Sequence, residues 1–94
     1  MKHVWRAHRM YYVYILYSEK DGGLYIGYTT DLKRRIAEHQ KGLSKSIKHR
    51  LPIRLVHYEA FAENADARAR EKYLKSGYGR EQLRSQLKIL FEKL

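Results

Sequence analysis

The sequence predicts an α+β domain. Three observations carry that prediction. An almost unbroken apolar and aromatic run, Tyr11 to Tyr17, is followed across Asp21-Gly22-Gly23 by a second short run, Leu24 to Thr29. A phrase with helical spacing then holds Leu32 and Ile36 four residues apart. A stretch rich in β-formers, Ile53 to Phe61, leads into two more helical phrases. Strand, strand, helix, strand, helix, helix is the order of a compact layered α+β structure.

Tyr11 to Tyr17 is apolar on both parities, the pattern of a central strand buried on both faces. Asp-Gly-Gly is strong turn chemistry, so the first two strands should form an antiparallel hairpin. If Tyr17 pairs with Leu24, Tyr14 stands opposite Gly27 and Leu16 opposite Tyr25. Tyr14 and Tyr25 then share one face, because strand side chains alternate with period two. Gly27 leaves a gap in that face where a ligand backbone can approach. Thr30 or Asp31 caps the next helix, which ends at Lys41-Gly42. The polar, basic stretch from Gly42 to Pro52 reads as a loop with at most one helical turn. Asn64 is read as the cap of a helix running to Ser76, with Gly77 as its stop. A last helix from about Arg80 shows Leu83, Leu87, Leu90, Phe91 and Leu94 as one apolar stripe. No linker, repeat or low-complexity tract interrupts the chain.

Ninety-four residues suit one domain, and folding at this size buries only about 60–65% of the unfolded surface. Segment 1–9 is basic and aperiodic. It is not a secretory signal, and it reads as a tail that can touch phosphates, ahead of a domain over 10–94. Twenty Lys and Arg against ten Asp and Glu give a formal charge of +10. That excess favours polyanions, nucleic acid before an anionic membrane. No stretch approaches the ~18 apolar residues of a membrane span. The absence of cysteine removes disulfides and thiolate chemistry and fits a cytoplasmic setting.

Five residues carry candidate chemistry. Tyr14 and Tyr25 are paired on one face, but a phenol ordinarily titrates near pH 10 and needs nearby positive charge to act as a base. Arg35 and His39, one helical turn apart, lie on a neighbouring stripe. A guanidinium matches a phosphate bidentately, and an imidazole can orient or exchange a proton with a phenol or water. Glu71 shares a helix face with Ala67 and Leu74, the residues expected to meet the sheet. Its alternative reading is a surface pair with Lys75, worth about 0.3–0.5 kcal/mol. One carboxylate is enough for a hard divalent cation that completes its shell with waters and phosphate oxygens. No His/Cys/Asp cluster suggests zinc. Gly27, Lys33, Arg34, Lys45, Lys48, Lys75 and Arg80 are the expected substrate contacts, the cations supplying sequence-independent affinity for phosphates.

Val13-Tyr14-Ile15 and Tyr25-Ile26-Gly27, followed by Arg35, His39 and Glu71, resemble the GIY-YIG endonuclease family, also called URI domains, in its small single-domain bacterial form. The likeness runs from Met10 to about Leu90. It implies a three-stranded antiparallel sheet flanked by helices and hydrolysis of DNA phosphodiesters with one divalent cation, Mg²⁺ or Mn²⁺. It implies that Tyr25 activates the attacking water with Tyr14 in support. Arg35 then stabilises the transition-state phosphate, His39 assists, and Glu71 holds the metal. The family's asparagine after the metal-binding glutamate has no counterpart; Lys75 to Arg80 occupies that region. Nothing resembles a recognition helix, so cutting directed by DNA structure, branched or single-stranded, is expected. Two other readings remain open: a nucleic-acid-binding module with a vestigial site, and a nuclease subunit active only with a partner protein.

Overall fold

The structure is a computed structural model and describes residues 9–94. The basic tail expected over 1–9 therefore lies, apart from Arg9, outside the described residues. Three strands form one antiparallel sheet: β1 (Tyr11–Ser18), β2 (Leu24–Thr29) and β3 (Ile53–Phe61), in the order β2-β1-β3. The run that is apolar on both parities is the central strand, and its residues Val13 to Leu16 are all buried. The hairpin register is the predicted one. Tyr14 pairs with Gly27, Leu16 with Tyr25 and Tyr17 with Leu24. Gly22 takes φ +72° in the turn, a conformation open to glycine. Ser18 braces that turn, its Oγ accepting from the backbone N–H groups of Lys20 and Asp21 at 3.2 Å each.

Helices cover both faces of the sheet. Helix α1 (Leu32–Gln40) starts at Asp31, whose carboxylate accepts from the Arg34 backbone N–H. Its Leu32 and Ile36 pack on the face that carries Tyr14, Leu16 and Tyr25. Between α1 and β3, a single 3₁₀ turn, Lys48–Arg50, follows the buried Ile47, which joins the same core. Helix α2 (Asn64–Lys75) and helix α3 (Gly77–Gln86) pack on the opposite face, where Ala67, Leu74 and Leu83 meet Val13, Ile15 and Ile26. Arg70 of α2 donates from Nε and Nη2 to the Glu59 carboxylate at 2.8 and 3.1 Å, tying α2 to β3.

β3 carries an irregularity against β1 between Ile15 and Leu16. Leu55 and Tyr58 are three residues apart, a spacing that in regular strand puts side chains on opposite faces. The bulge absorbs one residue, so both serve the α1 face: Leu55 pairs with Leu16 and Tyr58 with Tyr14. Bulges re-aim side chains in this way near functional sites.

Three expectations about the C-terminal half are corrected. Asn64 is the first residue of α2 rather than its cap; Glu63 precedes it, and Asn64 Oδ1 instead accepts from the Tyr28 hydroxyl. Gly77 does not stop α2. Ser76 ends that helix and caps the next, its Oγ accepting from the Gly79 backbone N–H at 3.0 Å. The last apolar stripe is split, because Leu87 leaves helical geometry (φ −111°, ψ 44°) and a short α4 (Lys88–Glu92) follows.

Candidate active site

Tyr14 sits at the centre of the α1 face with 1% of its surface exposed. Its hydroxyl lies 2.8 Å from His39 Nε2, and His39 is fully buried in the last turn of α1. Tyr25 reaches the same place from β2. Its ring centroid is 6.4 Å from that of Tyr14 and 5.6 Å from that of His39. The three rings form one aromatic cluster, with Tyr25 as its partly exposed member.

Gly27 proves necessary for a reason other than ligand approach. A Cβ at this position would overlap the Tyr14 ring at Cζ and Oη. The gap predicted at Gly27 is real, but the Tyr14 phenol fills it. Gly27 is thus a packing requirement of the cluster and is not brought out as a substrate contact.

Arg35, one turn before His39, stands at the rim of the cluster and keeps 37% of its side chain exposed. Its Nη1 donates to Glu38 Oε1 at 3.1 Å. Burial pushes the Tyr14 phenol up to about 12; Arg35 opposes the rise, while Tyr25 and Glu71 add to it. Burial also pushes the His39 imidazole below its usual range, and the Arg35 charge pushes it further against a smaller pull from Glu38. Tyr14 and His39 are therefore a neutral pair at neutral pH. His39 Nδ1 is buried with no hydrogen-bond partner among the described residues.

Glu71 approaches from elsewhere. It lies on α2, which covers the other face of the sheet, one turn from the buried Ala67. Its side chain is 16% exposed, and its charge still reaches the Tyr14 hydroxyl. Both carboxylate oxygens carry ion pairs: Oε2 with Lys75 Nζ at 3.0 Å and Oε1 with Arg68 Nη1 at 3.6 Å. Arg68 in turn covers the Tyr28 ring at 3.6 Å. The predicted surface pair with Lys75 is thus present, on a carboxylate that is itself mostly covered.

The cationic contacts divide. Lys33 and Arg34 are exposed on α1, and Arg34 Nε lies 3.5 Å from Asp31. Lys45 and Lys48 are exposed on the segment around the 3₁₀ turn. Lys75 is committed to Glu71, and Arg80 is exposed in the α2–α3 layer, which the structure does not bring to the tyrosine face. Sequence reasoning missed Ser46 and Ile47. Ser46 Oγ is 3.5 Å from the Tyr25 hydroxyl, at the limit of hydrogen bonding. Ile47, fully buried beside it, pins the segment to the core. An isoleucine inside a polar, basic stretch was the available signal.

With this geometry in place, comparison with known proteins decides the family. The profile of the GIY-YIG catalytic domain matches residues 10–84. The chain belongs to the GIY-YIG family. Its relatives include a UPF0213 protein of Streptococcus pneumoniae, 43% identical over 65 residues, covering 68% of this chain and 65% of that protein. A UPF0213 protein of Haloquadratum walsbyi is 46% identical over 72 residues, covering 76% of this chain and 79% of the relative. The solution NMR structure of a UPF0213 protein of Bacillus halodurans is similar at TM-score 0.54 and 43% identity, covering 83% of this chain and 85% of that one. The matched domain is the catalytic one of a nuclease family, which implies a nucleic-acid substrate. The three-stranded antiparallel sheet flanked by helices is the architecture that the resemblance to this family implied.

Proposed function

We propose that the chain is a divalent-metal-dependent endonuclease that hydrolyses DNA phosphodiester bonds, directed by DNA structure rather than by sequence. The observation that carries this reading is the Tyr14–Tyr25–His39 cluster with Arg35 at its rim. A phosphodiester needs a deprotonated water, neutralisation of growing negative charge, and help for the leaving oxygen. Tyr25 is the part-exposed phenol, so it is the group that can meet a water and, in its phenolate form, take that water's proton. Arg35 stands ready for negative charge, with donors left beyond the one given to Glu38. Tyr14, held neutral by burial, orients its neighbours instead of taking a proton. His39 fixes Tyr14 in that task.

Glu71 is the residue for Mg²⁺ or Mn²⁺. The donor set fits such an ion in one respect: a hard carboxylate, whose two cationic partners are more than half exposed and replaceable. Among the described residues no three His, Cys, Asp or Glu side chains gather to hold a metal. The remaining ligands must then be waters and substrate phosphate oxygens. When bound, the cation supplies charge stabilisation for the leaving oxygen. The vestigial binding module is the second reading, favoured by the two ion pairs that occupy both Glu71 oxygens.

Incubation with branched, flap and single-stranded DNA, with and without Mg²⁺ or Mn²⁺, tests the proposal. Nicking that needs the metal and prefers one DNA structure supports it. Binding without cleavage in either ion puts the vestigial module in front. Cleavage that appears only after a cell-extract fraction is added makes the chain a subunit dependent on a partner protein.

A further inference from the structure

A cleft of about 660 Å³ opens between α1 and the tyrosine face of the sheet. Tyr12, Tyr58 and Leu55 line its sheet side; Leu32, Ile36 and Lys33 line its helix side. The cleft adjoins the aromatic cluster. Tyr58 is the cross-strand partner of Tyr14 on β3, and Gly27 is its partner on β2. Gly27, Tyr14 and Tyr58 thus form one row across the sheet, and Tyr12 lies two residues from Tyr14 on the same face. The rings of Tyr12 and Tyr58 meet edge to face with centroids 6.1 Å apart. That contact orients Tyr58 without covering it, and 51% of the residue stays exposed. The bulge in β3 places it there. A regular strand in register at Leu55 would turn residue 58 to the other face.

The geometry points to a nucleobase subsite: an unpaired base of the bound nucleic acid stacks on Tyr58 inside this cleft. The inference rests on the nuclease reading and gives it a substrate class, nucleic acid with at least one unpaired nucleotide at the site. The occupant follows from three features. The walls are a flat aromatic ring on one side and the aliphatic Leu32 and Ile36 on the other, which suits a planar group with two apolar faces. Lys33 lines the cleft beside Asp31, whose carboxylate lies 3.5 Å from Arg34, and the net charge of +10 favours a ligand attached to phosphates. Tyr58 pairs across the sheet with the buried Tyr14, so the cleft neighbours the aromatic cluster through that row of the sheet. A paired base has one face on each neighbour in the stack and cannot enter. Aromatic stacking accepts every base because each has a π-face, so the subsite selects for structure and tolerates sequence.

The test is metal-free binding, which is independent of hydrolysis. A single-stranded oligonucleotide carrying one 2-aminopurine, and a blunt duplex of the same sequence, are titrated against the wild type, Tyr58→Phe, Tyr58→Ala and Tyr58→Leu. Stacking quenches 2-aminopurine. Wild type and Tyr58→Phe should bind the single strand with quenching. Tyr58→Ala should lose about five- to a hundredfold in single-strand affinity and the quench, while duplex affinity stays within twofold. Tyr58→Leu keeps apolar bulk on the strand but has no π-face, and should lose the same amount. Unchanged single-strand binding in both truncations overturns the subsite, as does an equal loss on single strand and duplex. Loss of self-association in Tyr58→Ala with single-strand binding intact also overturns it and gives the cleft to a second copy of the chain. A wild type that shows the Tyr58-dependent quench but cuts nothing with Mg²⁺ keeps the subsite and removes the nuclease reading. One that cuts branched DNA with no Tyr58-dependent quench does the reverse.

Discussion

The Tyr14 hydroxyl and His39 Nε2 lie 2.8 Å apart in a buried hydrogen bond that joins the central strand to the end of α1. Tyr14→Phe removes that bond and leaves both ring nitrogens of a fully buried histidine without partners. A buried polar group stripped of its partner costs about 1–3 kcal/mol. In a domain of this size each kcal/mol lowers the melting temperature by about 4–8 °C. Tyr25→Phe removes a hydroxyl that, among the described residues, meets only Ser46 at 3.5 Å, and should melt within about 2 °C of wild type on that scale. Thermal melts of the two variants check this ordering, and nicking should fail in both.

Gly27→Ala tests the row that holds Tyr14 in place. The added methyl meets a ring that is 1% exposed and has nowhere to retreat. Overpacking of this kind costs about 1–3 kcal/mol. The displaced phenol should also lose His39. Tyr14→Phe and Gly27→Ala should therefore be less than additive when combined, measured as a double-mutant cycle in denaturant.

Stability should fall as pH drops below 6.5. Burial, aided by the Arg35 charge, lowers the His39 pKa in the folded chain from its usual 6.5. Below 6.5 the unfolded chain takes a proton at this residue and the folded chain does not. The unfolded state then binds more protons, so stability is full above 6.5 and is lost progressively below it. Denaturation midpoints at pH 7.5 and 5.5 measure the loss. In His39→Gln that part of the pH dependence should disappear.

Binding to DNA should be weak for any one sequence and steep in salt. Contact with about four to six phosphates gives a log–log slope of affinity against salt near −4 to −5. Duplex titrations between low and moderate salt check the slope. A flat response assigns the +10 charge to solubility alone.

The hairpin and its register were legible because turn chemistry and pattern agreed. Asp21-Gly22-Gly23 pinned the turn, and parity then placed Tyr14 opposite Gly27. Helix α1 was legible for the same reason: the Asp31 cap and the Leu32–Ile36 spacing point to one answer. Failures came where a long-range partner outbid a local signal. Asn64 looked like a cap, but its side chain is taken by Tyr28, thirty-six residues away. Gly77 looked like a stop, yet Ser76 satisfies the next helix's free N–H groups, and the chain continues at once. The role of Gly27 was hidden because an empty place on a strand does not say what fills it. The value of Tyr58 was hidden by the bulge, which no alternation pattern in β3 announces.

Glu71→Gln tests the central claim most directly. The change keeps size and hydrogen bonding but removes the ligand charge. Its ion pairs with Lys75 and Arg68 have mostly exposed partners, so stability should move by only a few tenths of a kcal/mol. Nicking rate with Mg²⁺, melting temperature and metal-free DNA affinity are measured on the same preparation. The account predicts lost nicking in a folded protein that binds DNA as well as wild type or slightly better. Full nicking activity in folded Glu71→Gln would contradict it and leave Glu71 as an ion-pair partner of Lys75 and Arg68.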